Sequence, residues 1–295
     1  MSGPGTHVTA EIASQPECWA TALRGAGEAR KILPAKGDRV AMIGCGTSLH
    51  LATAIAAARE VAGHGETDAF TASELPPRDY DALVAISRSG TTTEVRDAVQ
   101  RAPSSTRKVV VTTDADTPIA RLADDVLVLD YADEVSVVQT RFATTVLTVF
   151  RSLVGHDLLP VIEQAAQAVE AELDEQLIDR SHLVFLGRGW SCGVAAEAAL
   201  KVREAASAWS ESYAALEYRH GPLSAATPDS LVWLFGVRDD ALVADIAVSG
   251  ATVVVGRLDP QAELVVAQRV AVATARRRGL DPDHPRNLTR SVVLT

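Results

Sequence analysis

Short apolar runs and polar turns alternate along this chain in a repeating order. Val40-Ala41-Met42-Ile43 is apolar at every position and ends in a glycine. Leu83–Ile86, Lys108–Thr112, Val126–Leu129, His182–Leu186, Leu231–Phe235 and Thr252–Val255 have the same compact form. A half-exposed strand would alternate apolar and polar residues, so uninterrupted runs predict strands covered on both faces. Helical spacing fills the intervals. It runs from Thr9 to about Leu33, through an alanine-rich stretch to about Val61, from about Thr93, after Arg141, from Leu159 to about Ile178, over Cys192–Ala206 and over Leu264–Arg278. Strands alternating with helices predict an α/β fold with parallel sheets. In such sheets ligands bind beyond the carboxyl ends of the strands.

The pattern restarts midway. Gly44-Cys45-Gly46-Thr47-Ser48 and Gly187-Arg188-Gly189-Trp190-Ser191 occupy matching strand–turn–helix junctions. An internal duplication is expected, with residues 1–160 as one domain, 161–295 as the other, and the helix from Leu159 as the connector. Residues 1–8 read as a flexible lead. Gly44 and Gly46 lack the third glycine of a dinucleotide fingerprint, so a dinucleotide site is not predicted.

One junction carries more chemistry than the rest. The strand ending at Ile86 runs into Ser87-Arg88-Ser89-Gly90-Thr91-Thr92, and a helix starts at about Thr93. The first N–H groups of a helix lack partners, its dipole favours anions, and Ser and Thr hydroxyls are neutral donors. Gly90 lets the backbone approach a ligand closely. A phosphate monoester fits this pattern, and an ordinary Ser/Thr helix cap also does. The second half has no counterpart of Ser87–Thr92, so a single phosphate-binding half is expected.

Composition narrows the partners. A net charge of −10 argues against nucleic acid. Cys18, Cys45 and Cys192 are far apart, and no Cys/His cluster suggests a metal. No signal peptide and no run of membrane-spanning length is read, so a cytoplasmic protein without cofactor is expected. Four lysines stand against 24 arginines. Lys201 and Glu204 are three apart and share a helical face, as a surface ion pair or as part of a site. His220 precedes Gly221-Pro222, a setting in which histidine is commonly structural.

Taken together, these residues resemble the SIS (sugar isomerase) family. The chain is most like the double-SIS isomerase half of glucosamine-6-phosphate synthase and the stand-alone double-SIS deaminases and isomerases. The likeness covers nearly the whole chain. It rests on Glu11-Ile12-Ala13-Ser14-Gln15-Pro16, Gly44–Ser48, Ser87–Thr92, Leu186-Gly187-Arg188-Gly189, Ala199-Leu200-Lys201-Val202-Arg203-Glu204, Glu217-Tyr218-Arg219-His220-Gly221-Pro222 and Pro285–Val292. The resemblance implies two tandem flavodoxin-like domains. It implies that Ser87, Arg88, Ser89 and Thr92 form the phosphate loop, where the family often has glutamine at the Arg88 position. An arginine turned inward there adds charge-assisted contacts. Thr47, Ser48, Val137 and Gln139 match sugar-contacting positions. Glu204 matches the base at carbon 2, Lys201 a supporting lysine, and His220 the ring-opening residue, contributed in the synthase by a neighbouring subunit. A homodimer with a shared site is implied.

Two departures stand out. The chain lacks the amidotransferase domain, so synthase activity is not expected. The tail lysine of the synthase is here Arg290, which stays protonated and cannot form a Schiff base. It can still hold O1 or O5 as a fixed cation. The implied reaction is removal of the carbon-2 proton of a hexose or hexosamine 6-phosphate, leading to isomerisation or deamination. Dehydration of an acetylated amino sugar, action on sugar–amine adducts and non-catalytic phosphosugar sensing remain open at the same site.

Overall fold

The computed structural model describes residues 3–294. The chain divides into two compact units. The first comprises Glu17–Glu134, Gln139–Leu158 and the tail from Thr289; the second comprises the chain ahead of Glu17, Val135–Val138 and Leu159–Leu288. The strands are β1 Val40–Gly44, β2 Thr67–Thr71, β3 Ala82–Ile86, β4 Arg107–Thr112, β5 Asp125–Val128, β6 His182–Gly187, β7 Trp209–Ala214, β8 Ser230–Phe235 and β9 Thr252–Val255. The helices are α1 Thr6–Ala13, α2 Gln15–Arg24, α3 Ala26–Ile32, α4 Thr47–Val61, α5 Thr93–Arg101, α6 Arg141–Leu153, α7 Leu159–Glu170, α8 Ser191–Ala206, α9 Asp240–Val248 and α10 Pro260–Arg277.

In the first unit all pairings are parallel and the strand order is β2-β1-β3-β4-β5. That is the flavodoxin-like order, with its switch point between β1 and β3. Every residue of β1 and β3 is buried, as the uninterrupted apolar runs require. Ala41, Ile43, Leu83 and Ala85 meet Val95 and Val99 of α5 on one face. Burying one such valine or leucine fully stabilises the fold by about 1.5–3 kcal/mol. Trp19 is fully buried, and its indole N–H donates to Thr144 Oγ1 of α6 at 2.9 Å.

The second unit repeats the plan with four parallel strands in the order β7-β6-β8-β9. Val184, Leu186, Val232 and Leu234 pack with Leu242 and Ile246 of α9. Phe185 stacks on Trp233 with ring centroids 6.0 Å apart. Ala195, Ala198 and Ala199 are buried on α8, small enough to let α10 pack closely against it.

Several elements differ from the expectation. The helix predicted from Thr9 to Leu33 is three helices. Pro16, with no N–H to donate, sits in the first turn of α2, and Gly25 separates α2 from α3. The helix from Leu159 ends at Glu170 rather than Ile178, and Asp174 caps a separate turn at Glu175–Leu177. Strands β2 and β7 carry polar residues, Thr67, Asp68, Ser210 and Glu211 among them, because each is a sheet edge. Helix α9 was also absent from the sequence pattern; Asp239 caps it by accepting from Leu242 N at 2.8 Å.

The repeated glycines follow from packing. A Cβ on Gly44 would lie 2.6 Å from Ser48 Cβ, and one on Gly187 would lie 2.4 Å from the Ser191 carbonyl oxygen. Each strand ends against the first turn of the next helix. Gly187→Ala is therefore expected to destabilise the protein by about 2–3 kcal/mol. Urea denaturation monitored by tryptophan fluorescence measures this; a loss below about 0.5 kcal/mol would mean that α8 shifts freely.

Candidate functional site

In the first unit, the turn between β3 and α5 is held from below. Ser87 Oγ accepts from Gly90 N at 3.1 Å, and the Arg88 carbonyl accepts from Thr113 Oγ1 at 2.9 Å. Gly90 has φ +61°, and a Cβ there would lie 2.2 Å from Thr117 Oγ1. The close approach at Gly90 is thus to Thr117, whereas the sequence suggested a ligand. The amide N–H groups of Ser89 and Thr92 have no hydrogen-bond partner among the described residues. Adjacent parallel strands β1 and β3 carry Thr47-Ser48 and Ser87–Thr92 off their carboxyl ends, at the same end of the sheet.

Arg88 is turned into the protein. Its guanidinium lies 3.5 Å from the Glu134 carboxylate, both side chains being essentially inaccessible. Glu134 Oε1 also accepts from Thr140 N, Thr140 Oγ1 and Arg141 N at 2.5, 2.7 and 2.9 Å, which caps α6. Arg290 donates to the Glu134 carbonyl and to the Asp133 carboxylate, the latter at 2.5 Å. Arg141 donates to the Asp133 carbonyl at 2.8 Å. Three arginines therefore converge on Asp133-Glu134, and Arg290 is engaged there. Gln139 Oε1, in the same unit, is buried with no hydrogen-bond partner. Val137 belongs to the second unit, where its N–H donates to the Asp283 carbonyl at 3.2 Å.

In the second unit, Glu197, Lys201 and Glu204 share one face of α8. Lys201 and Glu197 are fully buried, so the exposed ion pair that the spacing alone suggested is not what forms. Lys201 Nζ lies 3.3 Å from Glu197 and donates to Glu204. Burial acts to lower the Lys201 pKa, but the two carboxylates outweigh it and hold the pKa above its ordinary value. Glu204 is one-fifth exposed and borders a cavity of about 30 Å³ that Ser207, Asp281, His284 and Arg286 also line. That is room for about one water. His220 lies on an exposed turn, and its imidazole has no hydrogen bond or ion pair among the described residues. The second-unit junction is closed on itself: Ser191 Oγ accepts from Arg188 N and donates to the Phe235 carbonyl, both at 2.8 Å.

Sequence reasoning gave no role to three residues that the structure places beside these groups. His284 and Arg286 border the Glu204 cavity. Ser291 Oγ accepts from Ser89 Oγ at 3.1 Å and Thr91 Oγ1 at 2.9 Å. No short spacing announces such contacts, because they join positions about eighty residues apart at the cavity and about two hundred apart at the turn.

The fold and these junctions define a tandem parallel α/β protein with a hydroxyl-lined turn in one unit and a buried acid–lysine–acid face in the other. The SIS domain model matches residues 32–154 and 176–245, and the chain belongs to the SIS domain family. It is 27% identical to glutamine–fructose-6-phosphate aminotransferase (isomerizing) of Sulfurisphaera tokodaii over 87% of this chain and 50% of that protein. The chain thus spans about half the length of the curated relatives it matches. Glucosamine-6-phosphate deaminase from Thermotoga maritima superposes with a TM-score of 0.81 at 27% identity, covering 96% of this chain and 98% of that one. Tagatose-6-phosphate ketose/aldose isomerase from Escherichia coli shares the fold, with a TM-score of 0.76 at 19% identity over 97% of this chain and 100% of that one. Among the described residues there is no cluster of metal-binding side chains, and no helix is long and apolar enough to cross a membrane.

Lys201→Met leaves Glu197 buried without its cation and is expected to destabilise the protein by about 3–5 kcal/mol. Because the Lys201 pKa is raised in the folded state, its contribution is fully present below the ordinary value of 10.5 and is lost as pH rises through the folded value. Denaturant titrations at neutral and strongly alkaline pH should show a smaller alkaline loss for the variant than for the wild type. An equal loss in both would remove Lys201 from the linkage.

Proposed function

We propose that this chain is a phosphosugar enzyme that removes the carbon-2 proton of an open-chain hexosamine or hexose 6-phosphate, of the glucosamine-6-phosphate isomerase/deaminase type. The observation that carries this reading is the buried Lys201 holding the partly exposed Glu204 on a family-matched helix. SIS family membership and the stand-alone deaminase of similar length and fold support it.

Ser87, Arg88, Ser89 and Thr92 form the phosphate loop in this reading. The open amides of Ser89 and Thr92 and the hydroxyl of Thr92 donate to the phosphate oxygens, while the Ser89 hydroxyl, donating to Ser291, shapes the turn beside them. Arg88 adds positive potential from beneath while paired with Glu134. Binding at the phosphate positions carbons 1 and 2 for reaction. Thr47, Ser48, Val137 and Gln139 contact the sugar; the buried acceptor of Gln139 suits a hydroxyl or amine donor.

Glu204 takes the carbon-2 proton as general base. The electrons of the C–H bond form the carbon 1–carbon 2 double bond, those of the C=O π bond move to oxygen, and that oxygen takes a proton from water to become an enediol or enolamine hydroxyl. Return of the proton to carbon 1, with loss of one proton from the carbon-2 hydroxyl or amine to water, gives a ketose or its imine, and water hydrolyses the imine to fructose 6-phosphate and ammonia. His220, from either copy of a homodimer, assists ring opening. Arg290, held by Asp133, secures the tail as a fixed cation and forms no Schiff base.

Proton NMR in deuterated water tests this reading with glucosamine 6-phosphate, N-acetylglucosamine 6-phosphate and glucose 6-phosphate. Loss of the carbon-2 proton signal with a ketose or ammonia appearing is the expected result. New vinylic signals from the acetylated sugar would replace it with dehydration. Binding without any exchange would leave a sensor. Glu204→Gln should abolish exchange and retain binding, whereas Ser89→Ala with Thr92→Ala should weaken binding by about 10- to 100-fold.

A further inference from the structure

The C-terminal tail is fastened to the same turn that the proposed function assigns to phosphate. Ser291 Oγ lies 3.1 Å from Ser89 Oγ, 2.9 Å from Thr91 Oγ1 and 3.4 Å from Thr92 Oγ1. The next residues bracket Thr93 at the start of α5. Thr93 N donates to the Val292 carbonyl at 3.1 Å, and Leu294 N donates to Thr93 Oγ1 at 2.9 Å. Arg88 reaches the Arg290 carbonyl at 3.4 Å. All these groups lie in the first unit.

We propose that Ser291 is a phosphate ligand supplied by the tail, a hydroxyl added to those of the loop, and that phosphate binding and tail seating reinforce one another. This inference rests on the phosphate-loop reading. A serine hydroxyl has one proton to donate and two lone pairs to accept with. Ser89 and Thr91 donate into Ser291 Oγ, which fills its acceptor capacity and leaves its own proton for an acceptor. Its remaining neighbour, Thr92 Oγ1, is the most distant of the three. A phosphate oxygen is a far stronger acceptor than a neutral hydroxyl, since charge-assisted hydrogen bonds are about twice as strong as neutral ones. Among the described residues the tail brings no side-chain carboxylate to this ring, and its Arg290 guanidinium is balanced by Asp133. The open amides of Ser89 and Thr92 are not taken by the tail, so the anion and Ser291 have complementary places around the turn. Coupling is reciprocal: if a seated Ser291 tightens phosphate binding, bound phosphate holds the tail by the same factor.

Calorimetric titration of the full chain with inorganic phosphate and with glucosamine 6-phosphate tests the proposal. Ser291→Ala is expected to weaken both by about tenfold, the loss of one hydrogen bond to a charged group, and Ser291→Thr to restore most of it. Hydrogen exchange adds a readout that simple loss of packing would not move. Phosphate should slow exchange of peptides covering residues 289–294 in the wild type and leave them unchanged in Ser291→Ala. Equal or tighter binding by Ser291→Ala, or faster tail exchange on adding phosphate, would make Ser291 a bystander or a competitor and overturn the proposal. If the wild type binds neither probe, the phosphate-loop reading itself fails.

Discussion

The first unit depends on one buried carboxylate. Glu134 has no accessible side-chain surface, and such a charge is tolerable only when its oxygens are well partnered. One oxygen caps α6 through three donors, and the other faces the Arg88 guanidinium. The turn after β3 and the start of α6 are thereby fixed by the same group. A buried ion pair is weak as a source of net stability, yet removing one partner typically costs about 3–5 kcal/mol. The pair thus defines a geometry more than it deepens an energy well. It also explains how a turn with few hydrophobic residues holds its backbone amides open: its carbonyl at Arg88 and its hydroxyl at Ser87 are tied underneath.

Much of this architecture was legible in the sequence for a simple reason. A strand buried on both faces must be apolar throughout, so β1, β3, β6 and β8 announced themselves. Gly44 and Gly187 marked the two matched junctions because a Cβ at either place meets the next helix. The edge strands β2 and β7 lacked that constraint and went unread. The helix breaks near Ser14 and Gly25 were hidden by apolar spacing that continues across them. At the candidate site, residue types at Ser87–Thr92 and Lys201–Glu204 were visible as local patterns. Arg88 facing Glu134, Arg290 facing Asp133 and Ser291 facing Ser89 were not, since a contact between distant positions leaves no periodic trace.

In the proposed reading the tail joins weak local stability to a binding role. Val292, Val293 and Leu294 are half or more exposed, so little apolar burial holds them. Their position comes from hydrogen bonds to Thr93 and the hydroxyl ring and from Arg290 on Asp133. Segments with few buried contacts open at low free-energy cost, which is what a binding-linked element requires. Arginine suits this duty better than lysine, because its planar fork can engage the Asp133 carboxylate and the Glu134 carbonyl at once.

The same charge accounting supports the role proposed for Glu204. Glu197, Lys201 and Glu204 together carry one net negative charge when all three are ionised. Two of the three groups are fully buried, so the Lys201 cation has no solvent alternative to its carboxylates. A proton arriving on Glu204 converts the triad to a neutral set in which the buried Glu197–Lys201 pair remains matched. The group that accepts that proton is also the exposed member, bordering the small cavity with His284 and Arg286. A carboxylate fixed by a buried cation at its back and open at its front can receive a proton without rearranging its supports, which is the requirement placed on a general base.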